Sequence, residues 1–125
     1  MDSCEIIHTY THKEALQDGN LIDVSDLGRM AGFKVPVAVT ALVHGICRLH
    51  ETPGDGQPDR WYLHKVILIA RLNAAYPRNL DSREFLYEVS FLDTNQERHA
   101  EQFKCVLGPD DEGLPCVTIM MDWED

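Results

Sequence analysis

WYLHKVILIARLNAAY, residues 61 to 76, is the stretch whose reading decides the fold. Placed on a helix at about 100° per residue, its apolar side chains run nearly all the way round. Polar residues survive as a narrow stripe holding His64 and Arg71, with Lys65 and Asn73 as isolated exceptions. A helix that is apolar on almost every side is expected to be buried on almost every side. The stretch therefore reads as the central helix of one domain spanning residues 1–125, with the other elements wrapped over it. It is too short and too polar to cross a bilayer.

Around this helix the chain alternates between short punctuated elements and longer periodic ones. Glu5 to Tyr10 is rich in β-branched and aromatic residues and reads as a first strand. Thr11 and Glu14 have the spacing of a capping box, opening a short helix that Gly19 ends. Leu21 to Val24 is a brief extended segment, and Ser25 is expected to cap a second short helix that stops at Gly32. Pro36 keeps Val35 extended. From about Val37 the apolar residues Val39, Leu42, Val43, Ile46 and Leu49 fall at helical spacing. They predict a second long helix to about His50, packed by one face on the central helix. The loop ETPGDGQPDR, residues 51 to 60, separates the two, with Asp59 as the expected N-cap of the central helix.

After Pro77 the period changes from helical to 2. Phe85, Tyr87, Val89 and Phe91 alternate with Glu84, Leu86, Glu88 and Ser90, the pattern of a half-buried strand. Two more strands follow, around Phe103 to Leu107 and Cys116 to Met121, joined by the turns at Asp93 to Gln96 and Gly108 to Gly113. The fold class is α+β: a C-terminal antiparallel meander of three strands laid over the central helix and the second long helix. Glu5 to Tyr10 is the candidate for a fourth strand.

Composition excludes several classes of function. Apolar content of 44% and charged content of 26% are those of an ordinary folded domain, so wholesale disorder is excluded. Net charge is −10, and it sits at the ends: residues 1–26 carry −5, residues 27–104 carry +1 and residues 105–125 carry −6. No basic footprint for direct DNA or RNA binding exists. No basic start followed by an apolar run is found, so neither a leader nor a membrane anchor is expected and the expected location is the cytoplasm. Cys4, Cys47, Cys105 and Cys116 have no CxxC spacing and read as buried reduced thiols.

The search for chemistry comes up empty. His44, Cys47 and His50 lie three apart on one predicted helix, but that spacing fans them over about 120° and no fourth ligand is evident, so no metal is assigned. His8 and His12 flank a strand-to-helix junction with nothing to fix a partner. No nucleophile elbow or Cys/His signature occurs. The turn GPDDEG lacks the Lys-Ser/Thr of a phosphate loop and the alternate ligands of a calcium loop. No catalytic residue and no cofactor is assigned. His64 and Arg71, seven apart on the polar stripe, are the candidate pocket residues, since both must find acceptors or solvent.

Three blocks taken together carry a resemblance. The first runs from Tyr10-Thr11-His12-Lys13-Glu14-Ala15-Leu16-Gln17-Asp18-Gly19 into Leu21-Ile22-Asp23-Val24-Ser25. The second is Ala31-Gly32-Phe33 with Pro36-Val37-Ala38-Val39-Thr40. The third is Gly108-Pro109-Asp110-Asp111 with Gly113, Pro115 and Val117-Thr118-Ile119-Met120. The chain resembles, over nearly its whole length, an uncharacterised domain-of-unknown-function family of small proteins carried by bacterial plasmids, phages and integrative elements. The resemblance brings no catalytic or binding residues to carry over.

What the resemblance implies is a setting, that of accessory genes which blunt host defence. In that setting the acidic ends are expected to meet a protein partner with a basic or nucleic-acid-binding face. The expected function is a non-enzymatic inhibitor of a defence complex, anti-CRISPR-like or antirestriction. Its contact surface would be Asp110, Asp111, Glu112, Asp122, Glu124 and Asp125, with Trp123 as aromatic anchor. The rivals are a small enzyme acting on a nucleotide, with Tyr10, His12 and Asp23 near one mouth of the fold, and a plasmid-maintenance or regulatory interaction domain.

Overall fold

A computed structural model describes residues 11–50, 60–76, 79, 82–92 and 95–124. The readings placed on Cys4, His8, Glu5 to Tyr10, most of the 51–60 loop and Asp125 lie outside the described residues; the N-cap of the central helix, expected at Asp59, is Arg60. Within them the architecture is α+β, with four helices and one five-stranded sheet.

Helix α1 is His12–Asp18. Thr11 Oγ1 accepts from the Glu14 N–H at 3.0 Å while the Glu14 carboxylate takes the Thr11 N–H at 3.3 Å, so the capping box is closed from both sides. Gly19, at φ +79°, ends the helix in the left-handed region. Strand β1, Leu21–Asp23, leads into helix α2, Ser25–Ala31. Ser25 is not its N-cap: Val24 holds that position. The Ser25 hydroxyl instead donates to Asp23 Oδ1 at 2.6 Å and accepts the Val37 N–H at 3.1 Å, which ties the helix start to the next strand.

The main departure from the sequence reading follows. Val37–Thr40 is strand β2, not the opening of a helix. Val39 fits the helical spacing of the residues after it, but Val-Ala-Val-Thr is rich in β-branched residues and finds strands on both sides. It pairs antiparallel with β1 and parallel with the last strand. Helix α3 then starts at Ala41 and runs to Leu49, with Thr40 Oγ1 accepting the Val43 N–H at 3.2 Å. The central helix is α4, Trp61–Ala74, entered through Arg60 at φ +59°. The Arg60 guanidinium binds Asp26 at 2.8 Å and so ties this entry to the first turn of α2.

Strands β3, Glu84–Leu92, β4, Arg98–Pro109, and β5, Pro115–Met121, complete the sheet, in the order β1-β2-β5-β4-β3. The last three are antiparallel neighbours, while the β2–β5 pair is parallel, so the sheet is mixed and not purely antiparallel. Register puts Phe85, Cys105, Ile119 and Val39 in one row on the inner face, with Tyr87, Phe103 and Met121 in the next. These rows meet Tyr62, Leu63, Val66, Ile67 and Ala70 of α4 in a continuous core. Tyr87 also donates its hydroxyl to the Val66 carbonyl at 3.2 Å, a buried bond joining sheet to helix.

Burial of α4 is one-sided. Leu68 and Leu72 are exposed, Leu72 at 55%, on the same side of the helix as His64 and Arg71. No further layer covers Leu68 and Leu72 among the described residues, while Arg71 on the same side reaches the end of α2 at Gly32. On α3 the buried stripe is Val43 and Cys47, while Leu42 is exposed and Leu49 is 82% exposed, so the apolar face read from the sequence is only partly seated. Helix α1 lies toward the other side of the sheet, where its His12 and Leu16 line one small cavity with Ala38 and Cys116.

Two outcomes test this packing. Helix α2 approaches β2 through Gly28, where an added Cβ would lie 2.6 Å from Val37 Cγ2. Gly28→Ala is expected to destabilise the protein by about 1–3 kcal/mol in urea unfolding, the usual cost of overpacking. Cys47, Cys105 and Cys116 are buried, and burial pushes the Cys105 thiol up to about 12 and raises that of Cys116. In a Cys4→Ser variant a chromogenic disulfide reagent is expected to find no fast-reacting thiol until denaturant is added.

Candidate functional site

The acidic residues near the C-terminus divide into two groups. Asp110, Asp111 and Glu112 lie in the turn before β5, and Asp122 and Glu124 follow it. Strand β5 has seven residues, so the groups stand about 20 Å apart at about 3.3 Å per residue. They form two acidic corners, one at each end of the strand.

Several of these carboxylates also do structural work. Asp110 Oδ1 accepts the N–H groups of Glu112 and Leu114, both at 2.9 Å, and shapes the turn. Asp111 reaches the start of α1, its two oxygens taking the Lys13 and His12 N–H groups at 2.9 Å. Those amides, Lys13 first, hold the Asp111 carboxyl below its ordinary value, as a helix N-terminus does for an anion. Glu124 Oε2 accepts from Thr40 Oγ1 and from the Met121 N–H, both at 2.8 Å. For the carboxylates of Glu112 and Asp122 no partner is found among the described residues.

Trp123 is 67% exposed. It stands in a tight turn closed by the Glu124 N–H on the Met121 carbonyl at 3.1 Å and by the Asp122 N–H on the Gln102 carbonyl at 3.2 Å. With the two Glu124 side-chain bonds, this turn holds the indole outward beside acidic neighbours.

The two candidate pocket residues are not brought together. Arg71 lines a cavity at the C-terminal end of α4, and His64 is not among that cavity's lining residues. The buried His64 Nδ1 has no hydrogen-bond partner among the described residues, nor have Trp61 Nε1 and the Tyr62 hydroxyl. His12 and Asp23 do line one small cavity of about 220 Å³, together with Ser25 and Cys116. There the Ser25 hydroxyl donates to Asp23 and accepts the Val37 N–H, while burial, with Asp110 and Asp111, raises the Cys116 thiol. Tyr10 lies outside the described residues.

His44, Cys47 and His50 are not gathered into a ligand set, and no group of three metal-ligating side chains occurs among the described residues. His50 follows α3 and lays its ring on Phe91, centroids 3.7 Å apart, with Tyr62 edge-on at 5.1 Å. Burial lowers the His50 pKa, against the pull of Glu101. A group whose folded value is depressed binds its proton more readily when unfolded, so stability falls as pH drops below about 6.5. Replacing His50 by Phe should flatten the stability profile between about pH 7 and 5, measured by thermal unfolding across that range.

Comparison with curated proteins and with solved structures returned no match. A family model does match, along the whole chain from residue 1 to residue 125, and its description is a family of unknown function, DUF6573. The chain belongs to that family.

Proposed function

We propose that this chain is a non-enzymatic, protein-binding factor of a mobile genetic element, acting in the cytoplasm of a bacterial host as an inhibitor of a defence complex of the anti-CRISPR or antirestriction kind. The observation that carries this reading is Trp123, held exposed in a pinned turn between Asp122 and Glu124 on a chain of net charge −10. A rigid aromatic ringed by carboxylates suits a partner whose own surface is basic: the indole supplies buried area, and the acids supply steering and exclude acidic competitors. A basic face that holds nucleic acid is such a surface, and carboxylates seated on it occupy the place of phosphates. The acidic turn at Asp110, Asp111 and Glu112 extends the same field to the far end of β5, and Asp125, outside the described residues, belongs to the same proposed contact set.

The test uses a panel of purified CRISPR effector complexes and restriction enzymes, read by DNA cleavage and by direct binding. Trp123→Ala is expected to weaken binding to the responsive complex by about 2 kcal/mol or more, as hot-spot truncations do. Asp122→Lys and Glu112→Lys change charge where no described hydrogen bond is lost, so they separate field from fold. They should slow association at low salt and reduce its salt dependence. Unchanged inhibition by the doubly reversed variant at low salt, or no inhibition of any member of the panel, would sink the proposal.

A further inference from the structure

A cavity of about 330 Å³ opens at the C-terminal end of α4. Its floor is apolar and partly aromatic, made by Phe33, Val35, Phe85, Leu107 and Val117. Its rim is cationic: Lys34 comes from the α2–β2 connection, Arg71 from α4 and Arg83 from the entry to β3. The chain has 21 acids and 11 Lys and Arg residues. Three of those 11 border this one cavity, and no acid does among the described residues. A random share of the surface would bring about two carboxylates for every cation. Three cations from three separate elements border one opening, an arrangement that suits an anion.

The arginine in this set is fixed in place. Arg71 Nε donates to the Gly32 carbonyl at 3.2 Å, and the Arg71 side chain packs alongside Gly32 at van der Waals distance. Gly32 itself, at φ +109°, ends α2. The terminal nitrogens of the guanidinium have no partner among the described residues, so its fork of donors is held at the cavity and left unspent. Asn79, also at the rim, is anchored by its amide on the Asn73 carbonyl at 2.8 Å. The floor adds no negative charge, because burial keeps the Cys105 thiol neutral.

We infer that this cavity binds a small phosphate monoester with a flat aromatic body, of the nucleoside monophosphate class. The phosphate lies between Arg71, Arg83 and Lys34, and the ring lies over the Phe33 and Phe85 floor. Two guanidiniums and an ammonium match a dianion better than a single carboxylate. The volume is at the small end of the range for ligand sites, about 300–1,000 Å³, which suits a mononucleotide and not a longer chain. A polynucleotide would also have to cross an acidic exterior, whereas a mononucleotide needs the cavity alone. This inference is independent of the Trp123 surface, and either can fail without the other.

Calorimetric titration of the full chain tests it. The ligands are AMP, GMP, CMP, UMP and 1-naphthyl phosphate, with inorganic phosphate, adenosine and a 5′-phosphorylated oligonucleotide as controls. At least one aromatic monophosphate should bind one to one, more tightly than inorganic phosphate and than adenosine. Arg71→Ala and Arg83→Gln should each weaken that binding about tenfold or more. Should Arg71→Ala fail to fold, as judged by its thermal transition, Arg83→Gln on a different element carries the test alone. The inference is overturned if none of the five aromatic monophosphates binds more tightly than inorganic phosphate. It is equally overturned if binding survives the arginine substitutions, or if the oligonucleotide binds more tightly than every monophosphate.

Discussion

Neighbouring strands stand about 4.8 Å apart, so five of them span about 20 Å between the outermost axes, while one helix with its side chains is about 10 Å across. No single rod can cover such a sheet. Here α4 lies toward β3, and α3 and α2 lie toward β2 and β5, side by side over the same face. Most of the remaining architecture follows from this division of labour. The inner rows of Phe, Tyr, Val and Ile are sealed, the Tyr87 hydroxyl finds a carbonyl on α4, and the outward side of α4 stays in contact with solvent. Where the helical layer ends, beyond the last turn of α4, the sheet's floor is left open and the cationic cavity appears.

How much of this was legible depended on how far apart in sequence the cause and its partner lie. The central helix and the alternation of Phe85, Tyr87, Val89 and Phe91 are local patterns, and both elements exist where the patterns lie. Strand β2 was not legible. Its Val39 fits the helical spacing that follows, and what makes the four residues a strand is Val117 to Ile119, about eighty positions downstream. Parallel partners leave no turn signature between them. The exposure of Leu68 and Leu72 was hidden for a similar reason, since apolar periodicity reports what a helix offers and not how many layers cover it.

The same distance effect shaped the sites. Arg71 stood out because it interrupts an apolar run, whereas Lys34 and Arg83 are unremarkable charges between elements and acquire meaning only once the fold gathers them. Asp111 read as a partner-contact carboxylate in a turn, yet its oxygens cap a helix 98 positions earlier. The acidic tail read as one surface, and a strand's length divides it into two. Charge counting along the chain was sound; charge proximity needed three dimensions.

The parallel β2–β5 pair also sets a timetable. Strand β2 lies in the first third of the chain, and its inner neighbour is the last strand to be synthesised. Until that strand emerges, β1 and β2 form a two-stranded ribbon, which is marginal in water by itself. Closing so long a loop before any reward arrives belongs to the slower class of small-domain topologies. The nascent polypeptide thus holds Val37 and Val39 unsealed until β5 has emerged, and strands β1 and β2 depend on a segment about eighty positions downstream for a stable home.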